Sequence, residues 1–452
     1  MTDHYSHIID SRFYRDGYST EETRQIFGDM RRMQRWLDVE LCLTNCQAEL
    51  GIIPKKAAKA LALTASLEKF DIQRIQDDIA KTGHSLIPLL NEWQRISGED
   101  GQYIHYGATT QDIQDTAQSL EIQEAIDLLE RDIAELISLL ADKSKQYRDV
   151  ICVGRTHGQQ ALPTTLGLKI STWLDETMRN QQRLQQCKQR VLVSQLFGGV
   201  GTMSALSAQA QTLLENFSAA LGLTAPDSSW HSARDRTAEL ISVLALISGG
   251  LARSANEICQ LAKNEIGELA EPFTAGQIGS STMPHKRNPE LCEQVVVLSK
   301  LIKANAMSGF DTLCGEHERD YRTVRLEWVA LTEAITFCCA ALKFQKKIIK
   351  NLVVNEAQIK NNLNQAAIFI STEALMFLLG EKIGKQCAHE LIYKASQLCS
   401  SSGKELIDIL LKDELIRGNF SRSDLEQAIL LENHVGQSAQ LIDRLTQKAR
   451  QL

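Results

Sequence analysis

Three polar segments of this chain hold residue types suited to handling a small acidic molecule. The first is Ile104-His105-Tyr106-Gly107-Ala108-Thr109-Thr110-Gln111-Asp112, and the second is Gly154-Arg155-Thr156-His157-Gly158-Gln159-Gln160-Ala161-Leu162-Pro163. The third is Gly276-Gln277-Ile278-Gly279-Ser280-Ser281-Thr282-Met283-Pro284-His285-Lys286-Arg287-Asn288-Pro289. Hydroxyls at Thr109, Thr110, Ser280 and Ser281 can cap a helix or hydrogen-bond a carboxylate, and Arg155, Lys286 and Arg287 supply positive charge. Each segment reads as a loop that ends where a long helix begins. Helix N-termini present free amides and the positive end of the helix dipole, so three together would favour an anion. Taken singly, each segment also has an ordinary structural explanation. Thr-Thr-Gln-Asp makes an N-cap, a loop histidine is a solvated or capping group, and Gly-Ser-Ser is a connector. The third segment resists that explanation, because nothing hydrophobic dictates its length or its residues.

The elements that must position these segments are long helices. Apolar residues recur at three- and four-residue steps from Ile113 to Leu140, Leu166 to Val191, Leu240 to Leu261, Leu291 to Ile302, and over 323–350. The chain has seven prolines, none after Pro289, and three of them lie between Pro272 and Pro289. Proline breaks helix interiors, so its scarcity favours helices and its clustering marks a non-helical stretch. The expected fold is all-α, with neighbouring seams packed as an antiparallel bundle. We divide it into an N-terminal helical domain (1–108), a central long-helix bundle domain (109–355) and a C-terminal helical domain (356–452). Breaks are expected at Gly51–Pro54, Gly98–Gly101, Ser400–Gly403 and Gly418.

Composition narrows the function. The 452 residues carry a formal net charge of −7, which argues against a protein that coats nucleic acid. The N-terminus lacks a basic patch followed by an apolar run, and the apolar stretch Leu240 to Ala252 is too short to span a bilayer. A cytoplasmic protein without a membrane partner is expected. Eleven cysteines without a Cys-x-x-Cys pair read as reduced core residues. Histidines, cysteines and acids do not cluster at ligand spacing, so neither a metal nor an organic cofactor is implied.

The run Ser280-Ser281-Thr282-Met283-Pro284-His285-Lys286-Arg287-Asn288-Pro289 resembles the signature of the fumarase/aspartase superfamily. The first two segments resemble that superfamily's other two conserved regions, in the same order. The likeness extends over nearly the whole chain from the helix holding Trp36-Leu37-Asp38-Val39-Glu40. It is greatest to the branch of adenylosuccinate lyases and 3-carboxy-cis,cis-muconate cycloisomerases. The resemblance implies a fumarase/aspartase-like fold and a homotetramer whose active sites each draw the three regions from three subunits. It also implies anti β-elimination. A proton leaves the carbon beside a carboxylate, the bond to nitrogen or oxygen on the next carbon breaks, and fumarate is released.

Carried over residue by residue, Ser280 matches the general base, and Lys286 and Asn288 match residues that hold the substrate carboxylate. His157 matches the general acid toward the leaving amine, and Glu293 the carboxylate that orients it. Thr109, Thr110 and Gln111 match the segment that binds the succinyl portion, with His105 beside the substrate. Thr156, Ser281 and Arg319 join the expected binding residues. His84 falls near another active-site histidine, although Ser85 follows it where adenylosuccinate lyases carry aspartate. The branch is less uniform. His157 in Arg-Thr-His-Gly resembles the lyases, since the cycloisomerases carry tryptophan there. Trp230-His231 before Arg234-Asp235-Arg236, and Glu327-Trp328, resemble the cycloisomerases. Where adenylosuccinate lyases place serines and then an arginine to grip the nucleotide phosphate, this chain has Val324, Arg325 and Trp328. The leading expectation is a fumarate-releasing lyase that cleaves the C–N bond of an N-succinyl compound, adenylosuccinate first, as in purine biosynthesis. A cycloisomerase of aromatic degradation is the alternative, or a lyase for another amino-dicarboxylate. A non-catalytic protein on the same scaffold would have no need of Ser280, Lys286, Asn288, His157 and Glu293 together.

Overall fold

In the N-terminal part, local capping sets the helix ends. Helix α1 (Asp29–Glu49) is followed by α2 (Ile72–Thr82) and α3 (Ile87–Ser97). Asp71 caps α2 by accepting the Arg74 amide at 3.1 Å, and Gly83 ends it with a φ of 68° that most side chains avoid. Pro88 sits in the first turn of α3, where its missing N–H costs nothing. The computed structural model describes residues 6–274, 276–402 and 404–451, and the side chains of all of these but Ile368.

The apolar series appear as α4 (Thr110–Gln146), α5 (Leu166–Val191), α6 (Asp235–Leu261), α7 (Glu290–Asp311) and α8 (Tyr321–Lys350). Their periodic residues are the buried ones, for example Ile113, Leu129, Ile133 and Leu136 on α4 and Leu331, Ile335, Cys338 and Leu342 on α8. The chain is therefore all-α in class, as expected. Helix α6 is longer than its Leu240–Ala252 stretch suggested. Its 27 residues are long and apolar enough to cross a membrane by length and composition. Yet Leu240, Ile241, Leu244, Ile247, Leu251 and Ile258 are buried, as in a core helix.

The chain packs as two units. One comprises Met1–Ile133, Asn180–Leu251 and Gln294–Lys343; the other comprises Ala134–Arg179, Ala252–Glu293 and Phe344–Leu452. The core of the first gathers Trp36, Leu37, Leu43, Leu89, Trp93, Ile113, Phe197 and Phe217. Trp93 is fully buried, and its indole N–H is satisfied by Thr64 Oγ1 at 3.0 Å. Nearby, the buried Arg234 guanidinium donates to Asp115 at 2.8 and 3.1 Å and to Glu327, and lies 4.8 Å over the Trp230 ring. Gln118 and Thr237 also donate to Glu327. Breaking such a network by removing one partner costs about 3–5 kcal/mol, so it locks α4, α6 and α8 in register.

The second unit corrects one expectation: the second polar segment is not a loop. It forms an antiparallel hairpin of β1 (Ile151–Thr156) and β2 (Gln159–Thr165), packed on α9 (Glu356–Ile370) through Val153, Leu363, Ala366 and Ile370. Strand β3 (Leu269–Ala270) pairs with β4 (Val353–Val354). Helices α10 (Thr372–Ile383) and α11 (Lys385–Ser402) bury Leu375, Leu379, Ala388 and Ile392. Ser402 ends α11 near the expected break, and Gly403 lies outside the described residues. All eleven cysteines are free thiols, and Cys46, Cys187 and Cys338 are among those buried.

Candidate active site

In the first unit, the residues singled out from the sequence converge on the start of α4. His84 Nδ1 accepts the amides of Leu86 (3.2 Å) and Ile87 (3.1 Å), capping α3. That places its proton on Nε2, 3.5 Å from Thr110 Oγ1. Ser85 accepts Gln114 Nε2 at 2.7 Å, tying the same turn to α4. Arg319 donates to Thr109 Oγ1 at 3.0 Å and to the Gly199 carbonyl at 2.5 Å. Gln111 is buried, its Nε2 committed to the His231 carbonyl (2.9 Å) and Asp115 (3.0 Å). Asp112 receives the amides of Thr109 (3.0 Å), Phe197 (3.0 Å) and Gly198 (2.9 Å), and pairs with His231 Nε2 at 2.9 Å. Gly107, with φ 78°, lets the chain pass Ala205, whose carbonyl would lie 2.5 Å from an added Cβ.

His105 is held in a left-handed backbone conformation, φ 60°, which a histidine adopts only under constraint. Its Nδ1 lies 2.5 Å from Oε1 of Glu40, a fully buried carboxylate on α1. Burial opposes charge on the imidazole, but the hydrogen bond to Glu40 and the charges of Glu40 and Asp112 outweigh it and raise its pKa.

In the second unit, the tip of the β1–β2 hairpin is a two-residue turn in which His157 (φ 50°) and Gly158 (φ 76°) both have positive φ. The turn presents Thr156 and His157 to solvent. Arg155 does not supply a free charge. Its guanidinium binds Glu268 at 2.6 and 3.0 Å, and Asn362 reaches the same carboxylate at 2.8 Å, fastening the hairpin close to its turn.

The third segment folds back on itself before α7. Gly279 lies so close to Lys286 that an added Cβ would stand 2.4 Å from its carbonyl, and Asn288 donates to the Gly279 carbonyl at 2.9 Å. Ser280 Oγ accepts the amides of Thr282 (3.4 Å) and Met283 (3.1 Å). Two backbone donors on a hydroxyl oxygen favour its ionised form, as a base requires. Glu271 receives the amides of Leu291 (3.2 Å) and Cys292 (2.9 Å), so a side chain already fills the first turn of α7. Beside the loop is a cavity of about 610 Å³ lined by Asn264, Glu271, Phe273, His285, Lys286, Arg287 and Asn288 among others. That volume suits a small ligand. Ser281 and Glu293 are exposed, and among the described residues no hydrogen bond joins Glu293 to His157.

Comparison with known proteins agrees with this architecture. Residues 2–303 match the Lyase family, and residues 369–445 match the adenylosuccinate lyase C-terminus family. The chain belongs to the fumarase/aspartase superfamily of lyases. It is 38% identical over 440 residues, 97% of each chain, to an N-acetyl-S-(2-succino)cysteine lyase from Enterococcus italicus. It is 36% identical over 441 residues, again 97% of each, to an adenylosuccinate lyase from Pyrococcus abyssi. Among solved structures, the 3-carboxy-cis,cis-muconate lactonizing enzyme from Pseudomonas putida superposes with a TM-score of 0.90 at 30% identity. That match covers 98% of this chain and 99% of the other.

For this lyase, three carboxylates escaped sequence reasoning: Glu40, Glu268 and Glu271. Glu40 left one signal, an acid among the apolar residues Trp36, Leu37, Val39 and Leu43. Trp230-His231, Arg234 and Glu327, read from the sequence as marks of a branch, are buried parts of the Arg234 and Asp112 networks. Their first role is packing.

The Glu40–His105 pair leads to a pH-dependent expectation. A folded pKa raised above the unfolded value of about 6.5 means that the pair stabilises the fold fully below that pH. The contribution is lost as pH rises through the folded value. Glu40→Gln should bring the His105 midpoint, followed by NMR of ring-labelled histidine, down toward the unfolded value. The stability gap between wild type and variant in urea should narrow as pH rises. An unchanged midpoint would show that Glu40 does not hold the charge.

Proposed function

We propose that this lyase releases fumarate from a thiol carrying a 2-succinyl group, the class to which N-acetyl-S-(2-succino)cysteine belongs. Ser280 takes the proton from the carbon beside one carboxylate. Lys286 and Asn288 hold that carboxylate as negative charge builds on it in the transition state. The C–S bond then breaks and its electron pair leaves with sulfur. His157, oriented by Glu293, protonates the departing thiolate, so the products are fumarate and a free thiol. His105, held on Glu40, hydrogen-bonds the second carboxylate, next to Thr109, Thr110 and Gln111. His84, Ser85, Thr156, Ser281 and Arg319 complete the binding residues. The superfamily resemblance supplies the assembly, a homotetramer that completes each site across subunits.

The observation that carries the thiol reading is the start of α8. The positions where adenylosuccinate lyases would grip a nucleotide phosphate hold Val324, buried in the core, and Trp328, packed against the first unit's core. The relative from Enterococcus italicus, matched over 97% of its length, supports the same substrate class. Adenylosuccinate is the second reading, favoured by His157 in Arg-Thr-His-Gly and by the C-terminal family match. The test is a panel of N-acetyl-S-(2-succino)cysteine, adenylosuccinate and 3-carboxymuconate. Fumarate would be followed by absorbance, thiol by a chromogenic disulfide and lactone by NMR. The highest kcat/KM is expected for the thioether, and a clear preference for another member would replace this reading.

A further inference from the structure

Arg325 is the one cation near the start of α8 that the packing leaves without a partner among the described residues. Arg319 is bound to Thr109 and Gly199. Arg322 is held by Asp320 and Glu316, and Arg234 by Asp115 and Glu327. The Arg325 guanidinium carbon instead lies 4.6 Å from the Tyr321 ring centre and 4.5 Å from that of Trp328. Those residues stand one turn before and one turn after it on the same helix face. Rings on a guanidinium restrain its plane while leaving its N–H edges open. A planar, restrained fork with free edges matches a carboxylate, which it can bind through two parallel hydrogen bonds.

Its place in the fold puts this fork beside the succinyl-binding segment. Arg319 joins the segment before α8 to Thr109, and Glu327 joins α8 to Gln118. Residues 319–327 therefore run alongside Thr109–Gln118 of α4, with Arg325 between the two ties. Val324 and Glu327 face inward and are buried, whereas Arg325 is half-buried.

We infer that Arg325 binds the carboxylate of the leaving thiol, and that this lyase selects succinylated thiols that are themselves carboxylic acids, such as an N-acylated cysteine. The inference rests on the functional reading above. The experiment compares N-acetyl-S-(2-succino)cysteine with its analogue in which the cysteine carboxyl is a primary carboxamide, using wild-type enzyme and Arg325→Gln. Wild type should favour the acid by about 10- to 100-fold in kcat/KM, the range of hydrogen bonds to a charged group. The variant should lose that preference by falling on the acid while nearly keeping its rate on the amide, and Arg325→Lys should restore part of it. Equal wild-type rates on acid and amide, or a preference that persists in Arg325→Gln, would overturn the inference and leave thiol release standing. Failure of wild type to cleave either thioether would overturn both.

Discussion

Replacing Ser280 by alanine is expected to lower kcat by about 10³-fold with little change in KM, since removal of a positioned general base typically costs 10²–10⁴-fold. Ser280 Oγ sits under the amides of Thr282 and Met283, in a loop that closes through Gly279 against Lys286 and through Asn288. A serine in water is a far weaker base than the reaction needs. In the mechanism we propose, the two backbone donors stabilise its alkoxide and bring proton abstraction within reach. The same geometry makes alanine structurally mild. The loop closes through Gly279 and Asn288, and alanine removes only the local bonds to the Thr282 and Met283 amides, so circular dichroism and the unfolding midpoint should stay close to wild type. A variant with near-normal kcat would remove Ser280 from the mechanism.

His157→Ala should produce an effect whose size depends on the leaving group. A thiol with a pKa near 8.5 departs as a thiolate with modest help, whereas an amine must be protonated as its bond breaks. On a thioether the loss should be about 10-fold; on adenylosuccinate, if it is turned over, about 10²- to 10⁴-fold. The same logic can be read within thioethers alone. Across 2-succinyl derivatives of thiols of increasing pKa, wild-type rates should fall gently and variant rates steeply. Parallel slopes would mean that His157 does not deliver the proton to sulfur. The hairpin turn that carries His157 is exposed and closed by backbone pairing of Thr156 with Gln159. The substitution should therefore leave the hairpin in place.

The long helices were legible because burial on one face imposes a three- and four-residue rhythm that single-sequence inspection can follow. The β1–β2 hairpin was not, although it carries His157. In β1 only Cys152 and Val153 are buried, side by side, so the alternation that announces a half-buried strand is missing. Irregular register between Val153 and Arg155 shifts the pattern further. The motif residues of the site were readable as types, while their partners were not. Glu40 lies 65 residues from His105 in the chain and sits in an apolar helix stripe, where an acid reads as an interruption. Arg155 looked like a free cation because Glu268, which neutralises it, is 113 residues away. Such pairings belong to tertiary packing, and local periodicity has no access to them.

The central claim, fumarate release from a succinylated thiol, is tested most directly by incubating wild-type enzyme with N-acetyl-S-(2-succino)cysteine and counting both products. Fumarate and free thiol should appear together in equal amounts, at a kcat/KM above that for adenylosuccinate. No thiol release alongside rapid cleavage of adenylosuccinate would contradict the account and return the chain to the nucleotide-cleaving reading.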